Sequence, residues 1–394
     1  MGKIVAIMVV LMTLWCFAAE LPGTAQGTQK IGIVSDLGGR GDLSFNDMAF
    51  KGAQMAKDDF GVDIVEVISI TESDYLPNLR MLAERGDCAI IVAVGFLLAD
   101  SLEVVAKEFP KQKFAIVDAE VDEPNVVSIL FKENEGSALA GALAALIAAE
   151  YGYKSVGTAL GIEIPDLWKF EIGYKWGVDW GVSWYEKNVG KNSTISKTPK
   201  RERVLWTYTG SFSDPGKGYQ AAKAQIGQGS GVVFQVGGQI GTGVFRAVRE
   251  ACKGKPTGPP FAIGVDSDQD WVEPGYIIAS MMKRVDTGVY MTIEDALKGT
   301  FKGGLLELGL KEDGVGLSSL EDLDEFLEIG IQAGTIKKED RDAIHNKIKA
   351  ARDSLPPYIW DAVEELENQI REGKLNVPKP LTREDMDEYR AVYG

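Results

Sequence analysis

Short apolar runs alternate with longer amphipathic runs along most of this chain. The stretch 88–94 is continuously apolar, as expected of a strand buried on both faces, whereas 46–60 repeats its apolar positions with the period of a helix. The same alternation restarts at Ser155 and continues to about residue 282. Alternating strands and helices predict parallel sheets covered by helices on both sides, so we expect two doubly wound α/β lobes.

The limits of the two lobes follow from where the alternation restarts and where it stops. We predict strands at 30–35, 62–70, 88–94, 113–117 and 126–131, and again at 155–161, 203–209, 231–236, 261–265 and 276–282. From about Leu317 the sequence becomes charged and helical. We assign residues 26–150 and about 276–316 to an N-terminal lobe, 151–275 and about 317–378 to a C-terminal lobe with a helical tail, and 379–394 to a C-terminal extension.

The first 25 residues have the pattern of a secretory signal peptide. Lys3 precedes an apolar run at 4–19, which is shorter than the about 20 residues that a membrane-spanning helix needs, and small residues at 23–25 fit a cleavage site. This pattern predicts an exported protein, in the periplasm or at the cell surface. Lipidation at Cys16 and an uncleaved N-terminal anchor are the alternatives; Trp15 argues against lipidation, since a small residue usually precedes a lipidated cysteine.

Composition narrows the classes of function. The 394 residues carry a formal net charge of −16, so the surface repels phosphate backbones and we expect no nucleic-acid partner. The single histidine, His345, excludes an HExxH zinc site, and no GxSxG nucleophile motif is present. We therefore predict no catalytic residues, no metal and no cofactor, although aspartate pairs leave acid–base chemistry open. After signal removal Cys88 and Cys252 remain, and we expect two unpaired thiols.

Candidate binding residues stand where the predicted strands end. In open α/β sheets, ligands bind beyond the carboxyl ends of the strands. The residues at these ends are rich in carboxylates and glycines and include no arginine: Asp36, Gly95, Asp118, Phe212 with Asp214, Gly237 with Gly238, and Asp266 with Asp268. Carboxylates at such positions commonly accept hydrogen bonds from hydroxyl or ring N–H groups.

Two glycine-rich loops join strands to helices at this edge. The loop 36–46 contains Ser44, which we expect to cap the following helix, and Phe45, which either packs as a hydrophobic staple or offers its face to a flat ligand. The loop 237–243 is not a GxGxxG motif; it either donates backbone N–H groups to a ligand or is only a tight turn. The stretch 210–218 has the wrong spacing for a phosphate-binding P-loop.

These stretches resemble the basic membrane protein family, whose best-known members are purine nucleoside receptors of ABC importers. The resemblance covers about 31–317 and resumes at 365–378. It rests on the combination of 36–46, 114–118, 125–141, 208–215, 233–238, 262–269 and 283–286. It implies a type I periplasmic-binding-protein fold, in which a hinge of crossing strands joins the lobes. It also implies a nucleoside pocket between the lobes, and permease and ATPase subunits as membrane partners.

The resemblance also assigns roles to individual residues. By motif, Phe45 and Phe212 would enclose the base from opposite lobes, while Asp36 and Asp118 would hydrogen-bond polar edges of the ligand.

The resemblance also implies residues for the sugar. Asp266 and Lys283 would bind the ribose hydroxyls, and Gly238 would supply a backbone contact. Asp42 and Asn46 are further candidates for binding the ligand.

The sequence departs from the family pattern in two respects. It lacks a convincing lipidated cysteine, and the region 317–358 is longer than usual. Three hypotheses therefore remain at this point: a receptor for a purine nucleoside, the same fold with riboflavin or a sugar as ligand, and an enzyme that hydrolyses nucleosides.

Overall fold

The computed structural model describes residues 29–37, 39–190, 192–332 and 334–394. The predicted signal peptide at 1–25, with Cys16 and the cleavage site, lies outside the described residues. Within the described ranges, no helix combines the length and the apolar character needed to cross a membrane.

The first part of the chain alternates strands with helices as the hydrophobic pattern predicts. Its elements are β1 (Lys30–Ser35), α1 (Phe45–Phe60), β2 (Asp63–Ile68), α2 (Tyr75–Arg85), β3 (Cys88–Val94), α3 (Ala99–Glu108), β4 (Phe114–Val117) and β5 (Val126–Phe131). The strands pair in parallel, and all but one residue of β3 are buried. The continuous apolar run at 88–94 is thus a strand with helices on both faces.

The alternation then restarts, again as predicted. The elements are α4 (Glu133–Tyr151), β6 (Ser155–Leu160), α5 (Pro165–Asn188), α6 (Thr194–Lys197), β7 (Val204–Tyr208), α7 (Pro215–Gly227), β8 (Ser230–Val236), α8 (Ile240–Ala251), β9 (Phe261–Asp266) and β10 (Ile277–Lys283). Strands β6 to β10 form a second parallel sheet. The prediction of two α/β lobes is confirmed.

The last part of the chain contributes to both sheets and then becomes helical. Its elements are α9 (Val285–Lys298), β11 (Gly304–Leu308), β12 (Val315–Leu317), α10 (Leu320–Gln332), α11 (Arg341–Asp353), α12 (Pro357–Arg371) and α13 (Arg383–Tyr393). Among the described residues the first sheet has the order β11-β5-β4-β3-β1-β2, and the second has the order β12-β10-β9-β8-β6-β7. Strand β12 is antiparallel to β10.

The first crossing of the chain between the lobes lies earlier in the sequence than we expected, and the second lies later. Helix α4 follows a strand of the first sheet but packs on α5 and on strands of the second sheet, so the first crossing lies near Lys132 rather than at residue 150. Strand β10 pairs with β9, and α9 returns to α1, which places the second crossing after Lys283 rather than at 276. The lobe boundaries at 150 and 276 are corrected accordingly.

The helical tail packs on the second lobe but also reaches the first. Helix α12 packs on α4, and the indole Nε1 of Trp184 in α5 donates to Glu365 at 2.9 Å. Glu325 of α10 forms an ion pair with Lys51 of α1 at 2.8 Å. The tail therefore contacts both lobes, a broader role than the packing on one lobe that its sequence position indicated.

Candidate functional site

A cavity of about 470 Å³ lies between the carboxyl ends of the two sheets. Its walls come from both lobes, and they combine apolar side chains with a small number of carboxylates, as small-molecule sites generally do. The described residues that line it include no arginine. The structure places all nine predicted binding residues on this wall: Asp36, Asp42, Phe45, Asn46, Asp118, Phe212, Gly238, Asp266 and Lys283.

Asp36 follows β1, and its carboxylate lies at the wall beside Asn46 and Gly95. The amide nitrogen of Asn46, in the first turn of α1, donates to Asp36 Oδ1 at 3.1 Å. Gly95 follows β3 with φ near +109°, and a Cβ atom there would lie 2.8 Å from Asp36 Oδ2. The Asp36 carboxylate therefore fits at this position only because Gly95 has no side chain.

Asp42 fixes the start of α1 rather than projecting freely into the cavity. Its carboxylate accepts the backbone N–H groups of Ser44 at 3.0 Å, Asn46 at 2.9 Å and Asp47 at 3.2 Å. Burial raises the pKa of Asp42 to about 6, against the opposing effect of the backbone donors. The expected cap by the Ser44 side chain is wrong, because Asp42 satisfies these donors instead.

The loop that begins α1 bonds directly to the loop that follows β9 in the other lobe. Ser44 Oγ donates to Asp266 Oδ2 at 2.5 Å, and both side chains are buried. Ser267 Oγ and Gln269 Nε2 both donate to the carbonyl oxygen of Leu43, at 2.5 and 2.9 Å. These contacts hold the two lobes together along one side of the cavity.

A buried group of charges lies where the chain crosses between the lobes. The Lys283 ammonium at the end of β10 lies 2.6 Å from Asp118, which follows β4, and 3.0 Å from Glu133, the first residue of α4. Glu133 also lies 2.9 Å from Lys169 of α5, and Lys169 lies 2.8 Å from Asp166. Asp118 and Lys283 line the cavity, so this charge network links the wall to the hinge.

Burial and mutual attraction set the ionisation of this network. Burial alone would lower the pKa of Lys283, but Asp118, Glu133 and Asp266 together raise it above its ordinary value. Burial also opposes the charged form of Asp118, and its pKa rises to about 7 although Lys283 lies beside it. Burial likewise raises the pKa of Asp266. Lys283 is therefore a fixed cation whose charge neighbouring carboxylates already compensate.

Aromatic rings from both lobes reach the same cavity. Phe45 belongs to the first lobe, and Phe212 follows β7 in the second. A Cβ atom on Gly161 would lie 2.3 Å from the Phe212 ring, so the absence of a side chain there allows the ring to pack against the backbone. The Lys283 ammonium lies 5.2 Å from the centre of the Phe45 ring and 5.8 Å from that of Phe170.

The remaining strand-end residues divide between the wall and the protein interior. Gly237 and Gly238 line the cavity, and Gly238 has a left-handed φ near +55°. Asp214 instead caps α7 by accepting from the backbone N–H of Gly216 at 2.8 Å. Asp268 is fully buried and accepts from the backbone of its own loop, away from the cavity.

Sequence reasoning missed several residues that build this site. Glu133, the first residue of α4, and Lys169 of α5 carry buried charges next to the wall, but they were not among the predicted binding residues. Phe170 and Phe96 add aromatic surface from helical segments. The spacing of Leu167 and Phe170, three residues apart on one face of α5, was the available signal, since such residues lie on the same side of a helix.

The histidine and the two cysteines that the structure describes lie apart from the cavity wall. In the parts of the chain that the structure describes, no group of three or more His, Cys, Asp or Glu side chains is arranged to hold a metal ion. His345 lies on α11, outside the cavity wall. Cys88 and Cys252 are free and buried, which confirms the prediction of unpaired thiols.

This combination of fold and cleft is that of a periplasmic-type solute receptor, and comparisons with known proteins agree. The family model described as ABC transporter substrate-binding protein, PnrA-like, matches residues 29–349. The chain is 39% identical over 362 residues to an uncharacterised lipoprotein of Pyrococcus abyssi, covering 91% of this chain and 86% of that one. It is 31% identical over 317 residues to the ABC transporter nucleoside-binding protein BmpA of Lactococcus lactis, covering 76% of this chain and 84% of that one.

A solved structure supports the same assignment. The solute-binding protein of an ABC transporter system from Aeropyrum pernix K1 superposes with a TM-score of 0.82 at 36% identity, covering 91% of this chain and 96% of that one. The protein therefore belongs to the basic membrane protein family of PnrA-like ABC transporter substrate-binding proteins and has the type I periplasmic-binding-protein fold. The family assignment implies a small-molecule ligand and membrane permease and ATPase partners, and it accords with a binding protein rather than an enzyme.

Proposed function

We propose that this protein is an extracytoplasmic receptor that encloses a purine nucleoside between its lobes and delivers it to an ABC permease. The observation that carries the proposal is the pair of phenyl rings, Phe45 and Phe212, which reach one cavity from opposite lobes beside several carboxylates. Flat heterocycles stack on aromatic faces, and carboxylates accept hydrogen bonds from ring N–H groups and hydroxyls.

The polar groups suit the two halves of a nucleoside. Asp36 and Asp118 lie at the ends of first-lobe strands, where they would accept hydrogen bonds from the polar edges of the base, with Asn46 beside Asp36. Asp266 and Lys283 lie at the ends of β9 and β10, where they would bind the ribose hydroxyls. In this proposal Gly238 supplies a backbone contact and Asp42 holds the loop that presents Phe45 and Asn46.

The charge of the wall supports an uncharged ligand. Asp36, Asp118 and Asp266 line the same cavity as Lys283, whose charge Glu133 and Asp118 already compensate. Phosphate-binding sites instead use arginine forks or glycine-rich loops with a free lysine. A neutral nucleoside therefore suits this wall better than a nucleotide does.

The place of action follows from the family and from its relatives. Three relatives from Pyrococcus species carry the name lipoprotein. We propose that this chain likewise acts outside the cytoplasmic membrane after export by its N-terminal signal, and that it has no enzymatic activity.

A thermal-shift screen of the mature chain tests the proposed ligand. A ligand that binds only the folded state raises the melting temperature, by an amount that grows with its concentration. We expect guanosine, inosine or adenosine to raise it, and ribose and free bases to leave it unchanged. A shift with riboflavin or a sugar alone would refute the nucleoside assignment. Release of free base from inosine, proportional to protein, would instead reveal a hydrolase.

Variants of the two rings test the site itself. Phe45→Ala and Phe212→Ala should each weaken binding of the nucleoside by at least about tenfold, on the order of 1.4 kcal/mol, in isothermal titration calorimetry. Phe109→Ala is the matched control, because this phenylalanine directly follows α3 in the first lobe and does not line the cavity. Unchanged affinity in both ring variants would refute the proposal that the two rings stack on the base.

A further inference from the structure

The C-terminal helix α13 packs against the helix that forms one wall of the cavity. Its Met386 is fully buried against Trp168 and Ile172 of α5. These two residues are four apart and share one face of α5, whereas Leu167 and Phe170 on another face line the cavity. The first turns of α5 thus lie between α13 and the cavity.

A buried ionic contact reinforces this packing. The Arg390 guanidinium of α13 forms two bonds to Glu171 of α5, from Nε to Oε1 at 3.0 Å and from Nη2 to Oε2 at 2.7 Å. Glu171 is fully buried and also receives Lys175 at 2.7 Å and the hydroxyl of Tyr208 at 2.9 Å. Lys175 in turn donates to the carbonyl oxygen of Gly394. Arg390 and Gly394 therefore supply polar partners to the buried Glu171 carboxylate and the buried Lys175 ammonium.

The same helix holds the loop that precedes α5. Glu163 lies 3.0 Å from Arg390 Nη1 and 2.7 Å from Arg383 Nη1, so two arginines of α13 converge on it. Its chain neighbours Ile162 and Ile164 both line the cavity. Helix α13 is therefore close to the cavity wall in two places. On the loop it binds Glu163, whose direct neighbours line the cavity, and at α5 it packs on the face of the helix that is turned away from the cavity.

We propose that α13 is a positioning element for the second-lobe wall of the cavity, and that it strengthens ligand retention without contacting the ligand. Arg390 binds both Glu171 and Glu163, and so it holds α5 and the loop before it in place. These two segments carry the wall residues Ile162, Ile164, Leu167 and Phe170. Loss of this contact leaves Glu171 without its bidentate partner and frees the loop before α5. The ligand-binding part of this inference rests on the proposed nucleoside function; the effect on the wall does not.

Hydrogen–deuterium exchange on the full ligand-free chain tests the positioning role. A purely stabilising helix would, on its removal, speed exchange across the whole fold, whereas a positioning helix changes it locally. In Arg390→Gln we expect amides of 161–172 to exchange about tenfold faster, with the first lobe unchanged. Arg383→Gln loses its ion pairs to Glu163 and to Asp387 but leaves the Arg390–Glu171 contact in place, so it should give a smaller increase, confined to 161–164. This variant tests the positioning role if Arg390→Gln does not fold. Arg80→Gln is the control, because it likewise removes a two-bond contact between an arginine and a glutamate, here Glu108 of the first lobe, and neither residue lines the cavity.

Calorimetric titration with guanosine on the same proteins supplies the second measurement. We expect about fivefold weaker binding in Arg390→Gln and unchanged binding in Arg80→Gln. Arg390→Lys, which keeps a positive charge opposite Glu171, should recover part of the affinity. Unchanged exchange at 161–172, or an increase spread evenly over both lobes, would overturn the positioning role. If the unmodified protein does not bind guanosine, the proposed function fails, while the exchange measurement still decides the role of α13.

Discussion

The hydroxyl of Ser44 in the first lobe donates a 2.5 Å hydrogen bond to the carboxylate of Asp266 in the second. Opening the cleft must break this bond, because Ser44 precedes α1 of one lobe and Asp266 ends β9 of the other. Ser44 stands at the N-cap of α1, next to Phe45, so the bond also fixes one of the proposed stacking rings relative to the opposite lobe. The contact couples closure of the lobes to the geometry of the cavity.

Removal of this hydroxyl should speed ligand release. In Ser44→Ala the closed arrangement loses a hydrogen bond to a carboxylate, while the open arrangement loses only contacts with water. We expect a net cost of about 1 kcal/mol, or about fivefold, mainly as a faster dissociation rate in stopped-flow measurements. Ser183→Ala is the control, since its hydroxyl bonds to Asp179 within α5. Equal dissociation rates in the two variants would show that the bond does not hold the lobes closed.

Neutralisation of Lys283 should destabilise the fold as well as weaken binding. Lys283→Met removes the cation beside the buried Asp118 carboxylate and leaves Glu133 with Lys169 alone; breaking such a buried pair typically costs about 3–5 kcal/mol. Urea unfolding of the ligand-free protein measures this cost. The double variant Lys283→Met with Asp118→Asn should recover part of this cost, because the Asp118 charge that lost its partner is then gone. Additive losses in the double variant would contradict the coupling of these two residues.

Asp42 should make stability depend on pH in a defined direction. Burial raises its pKa from 3.8 to about 6, so the folded state holds the proton more tightly than the unfolded state does. The stability contributed by this group therefore falls as the pH rises from 3.8 to about 6, by about 3 kcal/mol, and is constant above that range. In Asp42→Asn this component disappears from the pH profile of urea unfolding. The exposed Asp122→Asn serves as control, and identical profiles for both variants would refute the assignment.

Much of the fold and of the candidate site follows from local sequence patterns. Strand β3 is recognisable because a strand buried on both faces must be continuously apolar, and Asp36 and Asp118 are recognisable because they directly follow such strands. The motif 36–46 also gives the place of Phe45, although its pattern alone allows a staple as well as a stacking role.

The lobe boundaries and the charge network depend on packing that no local pattern encodes. Helix α4 is buried on nearly every side, so its sequence does not indicate which sheet it covers, and the first crossing was placed too late. Glu133 and Lys169 come together only because α4 packs against α5. Ser44 was predicted as a cap because its position is the usual one, but Asp42 lies close enough to take that role.

A side chain at position 95 should displace Asp36 and weaken binding. Gly95 has φ near +109°, and a Cβ atom there would lie 2.8 Å from Asp36 Oδ2, so Gly95→Ala both strains the backbone and pushes the carboxylate from its place at the wall. We expect at least about tenfold weaker nucleoside binding by calorimetry, about 1.4 kcal/mol. Gly61→Ala provides the control, because Gly61 also has a positive φ but nothing lies within 4 Å of its Cβ position. It should lower the melting temperature through backbone strain and leave affinity unchanged. If Gly95→Ala loses stability but binds the nucleoside as tightly as the unmodified protein, the Asp36 carboxylate does not contact the ligand. The polar edge of the base must then be recognised elsewhere on the wall.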